Sequence, residues 1–156
     1  MSLARSALAG AAAGAAGTTA LNAVTYLDMV VRARPVSSTP EDTVQALADR
    51  ASIGIPGDDE QRSHRLAGLG PLTGLVAGVG VGTALGLARG LGWRPGRGAG
   101  AVVATVLAML AGNAPMTALG TTNPRDWAAQ DWLADIVPHI AYGAVTALVS
   151  DQLDRG

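Results

Sequence analysis

Four stretches of this chain carry no formal charge: Ser6 to Leu27, Leu66 to Ala88, Gly98 to Pro124 and Ile136 to Ser150. A helix needs about 20 mostly apolar residues to cross the hydrocarbon core of a bilayer, and the first three stretches meet that length. The fourth meets it when it begins near Trp132 and takes in Asp135 close to its end. Within 156 residues, such segments leave little room for a water-soluble domain. Their glycines point the same way, because each interior Gly costs about 1 kcal/mol of helix stability in water. In lipid the backbone must satisfy its own hydrogen bonds, and helix is the available form. The predicted fold is all-α: a four-helix transmembrane bundle forming one integral membrane domain over residues 1–156. Its helices lie at about 6–31, 66–90, 98–121 and 132–150. The alternative weighed against it is a soluble helical bundle.

Arg5 and the apolar run behind it have the outline of a signal peptide. That run is rich in Ala and Gly rather than Leu, however, and it continues through Tyr26 and Met29 to Val31. A retained helix is the expected reading.

Residues 32–65 form the polar loop. Within it Thr39-Pro40-Glu41-Asp42 reads as an N-cap, a first-turn proline and acids at the positive helix end. Val44, Leu47, Ala48 and Ala51 follow at helical spacing, which predicts a short amphipathic helix in the first loop. Gly54-Ile55-Pro56-Gly57 stops it, and Asp58-Asp59-Glu60 opens the next helix. Trp93, Trp127 and Trp132 fall at segment ends, where indoles favour the membrane boundary. The basic Arg89 to Arg97 loop shares a side with the termini and contains no acid. A multi-pass protein of the cell membrane with cytoplasmic termini is expected on that basis.

Gly70, Gly74, Gly78, Gly82, Gly86 and Gly90 recur every fourth residue on the second span. In lipid, association rests on close packing, and such a row presents a flat face to a partner helix. Gly10, Gly14 and Gly17 offer a matching face on the first span. The ladder serves packing inside the bundle or self-association; neither involves chemistry.

Polar residues at membrane depth are the first place to look for function. Thr18, Asn22 and Tyr26 lie on the first span, Asn113 and Thr117 on the third, and Asp135, His139 and Tyr142 on the fourth. At about 1.5 Å rise per residue, Asn22, Asn113 and His139 all fall roughly 20 Å from the terminal side. Pro71, Pro115 and Pro138 share that half of the membrane, and each frees a carbonyl one turn earlier. Together these residues predict a polar cup open toward the long loop. It is read either as interhelical hydrogen bonding or as a site for a small solute or protons, with Asp135 and His139 as its ionisable pair.

Several classes of function fall away. The chain has no Cys, which removes thiolate metal sites and Cys nucleophiles, and one His at membrane depth is a poor basis for a metal site. With 11 basic against 12 acidic residues there is no electrostatic footprint for nucleic acid. No cofactor motif and no nucleophile–base motif is present, so catalytic residues are not assigned. The leading reading is a non-enzymatic membrane protein, an accessory or assembly subunit. The alternative is a small carrier or channel. Partners expected are the lipid bilayer and either another membrane protein or a second copy of the chain.

Gly17-Thr18-Thr19-Ala20-Leu21-Asn22 and the segment Trp132 to Gly143 (WLADIVPHIAYG) resemble small actinobacterial four-helix integral membrane proteins. More distantly the chain is similar to the YagU-type inner-membrane family, whose last helix also follows a Trp-containing loop and carries a His-x-x-x-Gly-like turn. Here His139 to Gly143 match that turn. The resemblance implies four membrane helices in a bacterial cytoplasmic membrane, and no reaction or ligand.

Overall fold

The computed structural model describes residues 2–155. Its α-helices are α1 (Leu3–Arg32), α2 (Thr39–Arg50), α3 (Asp59–Gly90), α4 (Arg97–Leu119) and α5 (Ala129–Leu153), with a short 3-10 turn at Pro124–Asp126. No strand occurs among the described residues. Four of the helices, α1, α3, α4 and α5, are long and apolar enough to cross a membrane.

Local chemistry sets the helix ends. Ser2 caps α1 by accepting from the Arg5 N–H at 3.3 Å, and Ala33 closes it in the left-handed region (φ 50°). Asp58 caps α3 through a 2.8 Å bond from the Gln61 N–H, with Asp59 and Glu60 in the first turn. The Asp131 carboxylate accepts from the Ala128 N–H at the start of α5. Gly120 ends α4 at φ 77°, a conformation that L side chains rarely adopt. The short loop helix is present as α2, but Thr39 is its first residue rather than its cap. Ser38 holds the cap position, and its hydroxyl bonds the Asp42 carboxylate instead of a backbone N–H.

At about 1.5 Å per residue, α3 is roughly 48 Å long, well beyond the ~30 Å hydrocarbon core. Its first two turns, with Arg62 and Arg65, therefore stand beyond the apolar part, and α2 packs beside them. Arg62 donates to Gln45 at 3.0 Å, Thr43 and Thr121 share a 3.0 Å hydroxyl bond, and Arg50 reaches the Ala118 carbonyl at 3.3 Å. These bonds tie α2 to α3 and to the end of α4.

Within the bundle, α1 is the central helix. It lies antiparallel to α3 on one side and to α5 on the other, and α4 packs antiparallel to α5. The buried apolar residues are mostly small: Ala13, Ala104, Ala108 and Ala147, with Leu85 and Tyr142. Large apolar side chains face outward instead, among them Val76, Val102, Leu110, Leu133 and Ile140. A soluble bundle has the reverse arrangement, since large apolar residues drive burial in water. Small residues inside and large ones outside is the distribution of a multi-pass membrane protein in contact with lipid.

Candidate functional site

The glycines of α1 and α3 determine how closely those helices approach. A Cβ on Gly82 would sit 2.5 Å from Gly14 Cα, and one on Gly86 would sit 2.7 Å from Gly10 Cα. Backbone meets backbone here, so no side chain can move aside. The remaining ladder positions divide. Gly90 lies against Ser6, Gly78 against Thr18 and Tyr142, and Gly70 against Pro40 and Glu41 of α2, while Gly74 faces open space. A further close approach joins α4 and α5, where a Cβ on Gly143 would meet the Ala101 carbonyl and the Thr105 nitrogen. Gly143 belongs to no regular row, so no spacing marks it in the sequence.

Below that contact lies a buried polar cluster. Tyr142 is fully buried, and its hydroxyl donates a 2.6 Å bond to the Gly78 carbonyl across the bundle. Thr18, 5% exposed, donates to the Gly14 carbonyl one turn back at 2.9 Å. Thr146, one turn beyond Tyr142, makes a long 3.5 Å bond to the Ala13 carbonyl. Tyr142 therefore belongs to a junction of α1, α3 and α5.

A second group sits between α4 and α5. Asn113 donates from Nδ2 to Asp135 Oδ2 at 2.9 Å. His139 Nδ1 lies 2.6 Å from the Asp135 backbone carbonyl and 3.4 Å from Asp135 Oδ1. The 2.6 Å contact needs a proton on Nδ1, so Nε2 is the free acceptor of the neutral ring. Both ionisable side chains are mostly buried, at 14% and 16% exposure. Of the predicted cup, the fold draws together this trio and, separately, Thr18 and Tyr142 against Gly78. Asn22, Tyr26 and Thr117 are exposed on the outer surface of the bundle.

Two concavities occur elsewhere. One of about 330 Å³ lies between α1 and α5, lined by Val24, Asp28, Arg32, Leu133, Val137 and Pro138. The other, about 470 Å³, lies in the loop before α3, between Ile53, Ile55 and Pro56 on one side and Leu69 and Leu72 on the other. Neither is lined by Asn113, Asp135 or His139. His64 stands on the rim of the second, 76% exposed and 3.7 Å from Glu60.

Ion pairs close both ends of the bundle. Arg89 reaches Asp151 at 2.8 Å and Asp154 at 2.7 Å, and Arg97 reaches the other oxygen of Asp151 at 2.9 Å. Arg89, Asp151 and Asp154 are all at least four-fifths covered, so the cluster clamps the ends of α3, α4 and α5 together. At the opposite end Asp28 takes a fork of bonds from Arg32, at 2.7 and 2.6 Å, and a further bond from Arg34. Trp127 and Trp132 stack edge to face with centroids 4.9 Å apart. No protein-family model, no curated protein and no solved structure matches this chain.

Proposed function

We propose that this multi-pass protein has a non-enzymatic role as an accessory or assembly subunit of a complex in a bacterial cytoplasmic membrane, with its termini on the cytoplasmic side. One observation carries the reading: polar side chains inside the bundle bond from one helix to another. Tyr142 binds Gly78 and Asn113 binds Asp135, each between two different helices. Bonds of this kind between membrane helices contribute about 0.6 kcal/mol on average, which is a contribution to packing. The placement in a bacterial membrane comes from the resemblance of Gly17 to Asn22 and Trp132 to Gly143. The orientation comes from the short basic Arg89 to Arg97 loop.

A second reading, a small carrier or channel for a solute or protons, draws on the Asp135–His139 pair, because ionisable groups at membrane depth commonly serve transport. Gentle-detergent purification from native membranes with quantitative mass spectrometry tests the first reading. A stoichiometric partner protein is the expected result. Recovery of the chain alone, or only with copies of itself, overturns the accessory role. His139→Ala then decides the second reading: in a carrier it abolishes uptake, whereas in a packing protein it shifts stability by about 1 kcal/mol.

A further inference from the structure

The larger concavity, in the loop before α3, changes its chemistry along the membrane normal. Arg65, Gly68, Leu69 and Leu72 follow at i, i+3, i+4 and i+7, so one face of α3 forms its wall. Arg65 is the last charged residue before the charge-free stretch that begins at Leu66. Leu72 lies about 10 Å deeper by helical rise. Ile53, Ile55 and Pro56 form the facing wall. Gly68 leaves the floor bare, since a Cβ there would meet nothing within 4 Å. The result is a cleft of about 470 Å³, a volume in the range of small-ligand sites, cationic at its outer end and apolar at its inner end.

The loop holds the cation in place. Arg65 Nη1 donates to the Pro56 carbonyl. The guanidinium lies over Gly57, where a Cβ would collide with it and where φ is 104°, a conformation that favours glycine. No ion pair with Arg65 occurs among the described residues. Of the acids that open α3, Asp58 caps the helix through the Gln61 N–H, and Glu60 lies 3.7 Å from His64. A guanidinium has five N–H donors, of which Pro56 takes one, and its fork matches the oxygens of a phosphate. The concavity between α1 and α5 repeats the order, with Arg32 outside and Val24, Val137 and Pro138 inside. There the charge is already balanced by Asp28.

We infer that the cleft beside Arg65 binds one phospholipid, with its phosphodiester on the Arg65 guanidinium and an acyl chain along Ile53, Leu69 and Leu72. The order of the chemistry selects that occupant. A phospholipid presents an anion at the membrane boundary with hydrocarbon beneath it, at the levels where the cleft offers a cation and an apolar wall. A dissolved phosphate would match only the outer end. This inference rests on the multi-pass fold and is independent of the accessory role.

Native mass spectrometry of the delipidated protein, titrated in detergent with dioleoyl phosphatidylglycerol, tests it. Arg65→Gln is expected to weaken uptake of the first lipid about tenfold, the low end for hydrogen bonds to a charged group. Arg125→Gln removes an exposed arginine at the same end of the bundle but outside the cleft, and is expected to leave that uptake unchanged. Leu72→Gln is expected to weaken it severalfold, which a site for the phosphate alone would not show. Equal effects of Arg65→Gln and Arg125→Gln, or uptake indifferent to Leu72→Gln, overturn the proposal. So does displacement of the lipid by millimolar inorganic phosphate, which would make the site one for a free anion. A photoreactive side chain at position 69 is expected to label phospholipid in native membranes. Labelling of a protein there instead overturns the proposal and supports the accessory role.

Discussion

Tyr142 and Gly78 are joined by a 2.6 Å hydrogen bond from the phenol to the backbone carbonyl, which makes the centre of α5 a direct partner of the centre of α3. A glycine at position 78 makes the contact accessible. A Cβ there would lie 3.4 Å from Tyr142 Cε2 and would collide with the Thr18 hydroxyl. The ring is fully buried and the phenol has a partner, so size and polarity are both accommodated.

Removing that hydroxyl tests the junction without disturbing its packing. Tyr142→Phe is expected to lower stability by about 0.6–1.7 kcal/mol, the range for interhelical polar bonds in membrane bundles. Reversible unfolding in mixed micelles measures it. An unchanged midpoint would show that the bond contributes nothing beyond the ring.

The glycines of one ladder should respond unequally. Gly82→Leu forces the α1 and α3 backbones apart and is expected to cost more than about 3 kcal/mol, at the severe end for overpacking. Gly74→Ala meets nothing within 4 Å and is expected to be neutral or stabilising, by up to about 1 kcal/mol. Thermal unfolding in detergent ranks the pair, and equal effects would contradict the observed division of the ladder.

At the terminal end, Arg89→Ala leaves Asp154 without its partner and Asp151 with Arg97 alone, both carboxylates being mostly covered. Each lost charge-assisted bond is worth about 1.5–3 kcal/mol, so the combined loss is expected to exceed that of Arg94→Ala several-fold. Arg94 makes only a 3.5 Å contact to the Arg89 carbonyl. A double-mutant cycle of Arg89→Ala with Asp151→Asn isolates the pair, and additivity would argue against the clamp.

Helix α2 is held by few contacts and should release selectively. Gly70→Leu drives a side chain into Pro40 and the Glu41 backbone, 3.3 and 3.2 Å from a Cβ at that site. Faster proteolysis between residues 33 and 58 is expected, with the four long helices intact by circular dichroism. Cleavage at the unaltered rate would mean that α2 does not rest on Gly70.

How much of this was readable beforehand depends on the residue. The charge-free stretches, the caps and the turn glycines act locally, so the four long helices and α2 follow from them. Depth is also local, because every helical residue advances by the same rise. Asn113 and His139 accordingly come out at one level with Asp135 a turn nearer the long loop, and in the fold Asn113 reaches Asp135. Rotation about the helix axis is different. Thr18 and Asn22 differ by only about 40° around α1, yet Thr18 is buried and Asn22 is exposed. The edge of the buried sector falls between them. Gly10, Gly14 and Gly17 set that edge by where they meet α3 and α5.

Sequence alone thus determined the number and approximate extent of the long apolar helices, because those follow from residue chemistry counted along one axis. Tertiary structure decided which polar groups share a site. It drew Tyr142 to Gly78, kept Asn113 with Asp135, turned Asn22 outward and brought Arg89 to Asp151 and Asp154. The reason is that each such pairing depends on the rotations of two helices at once, and close backbone contacts fix those rotations only when the whole bundle packs.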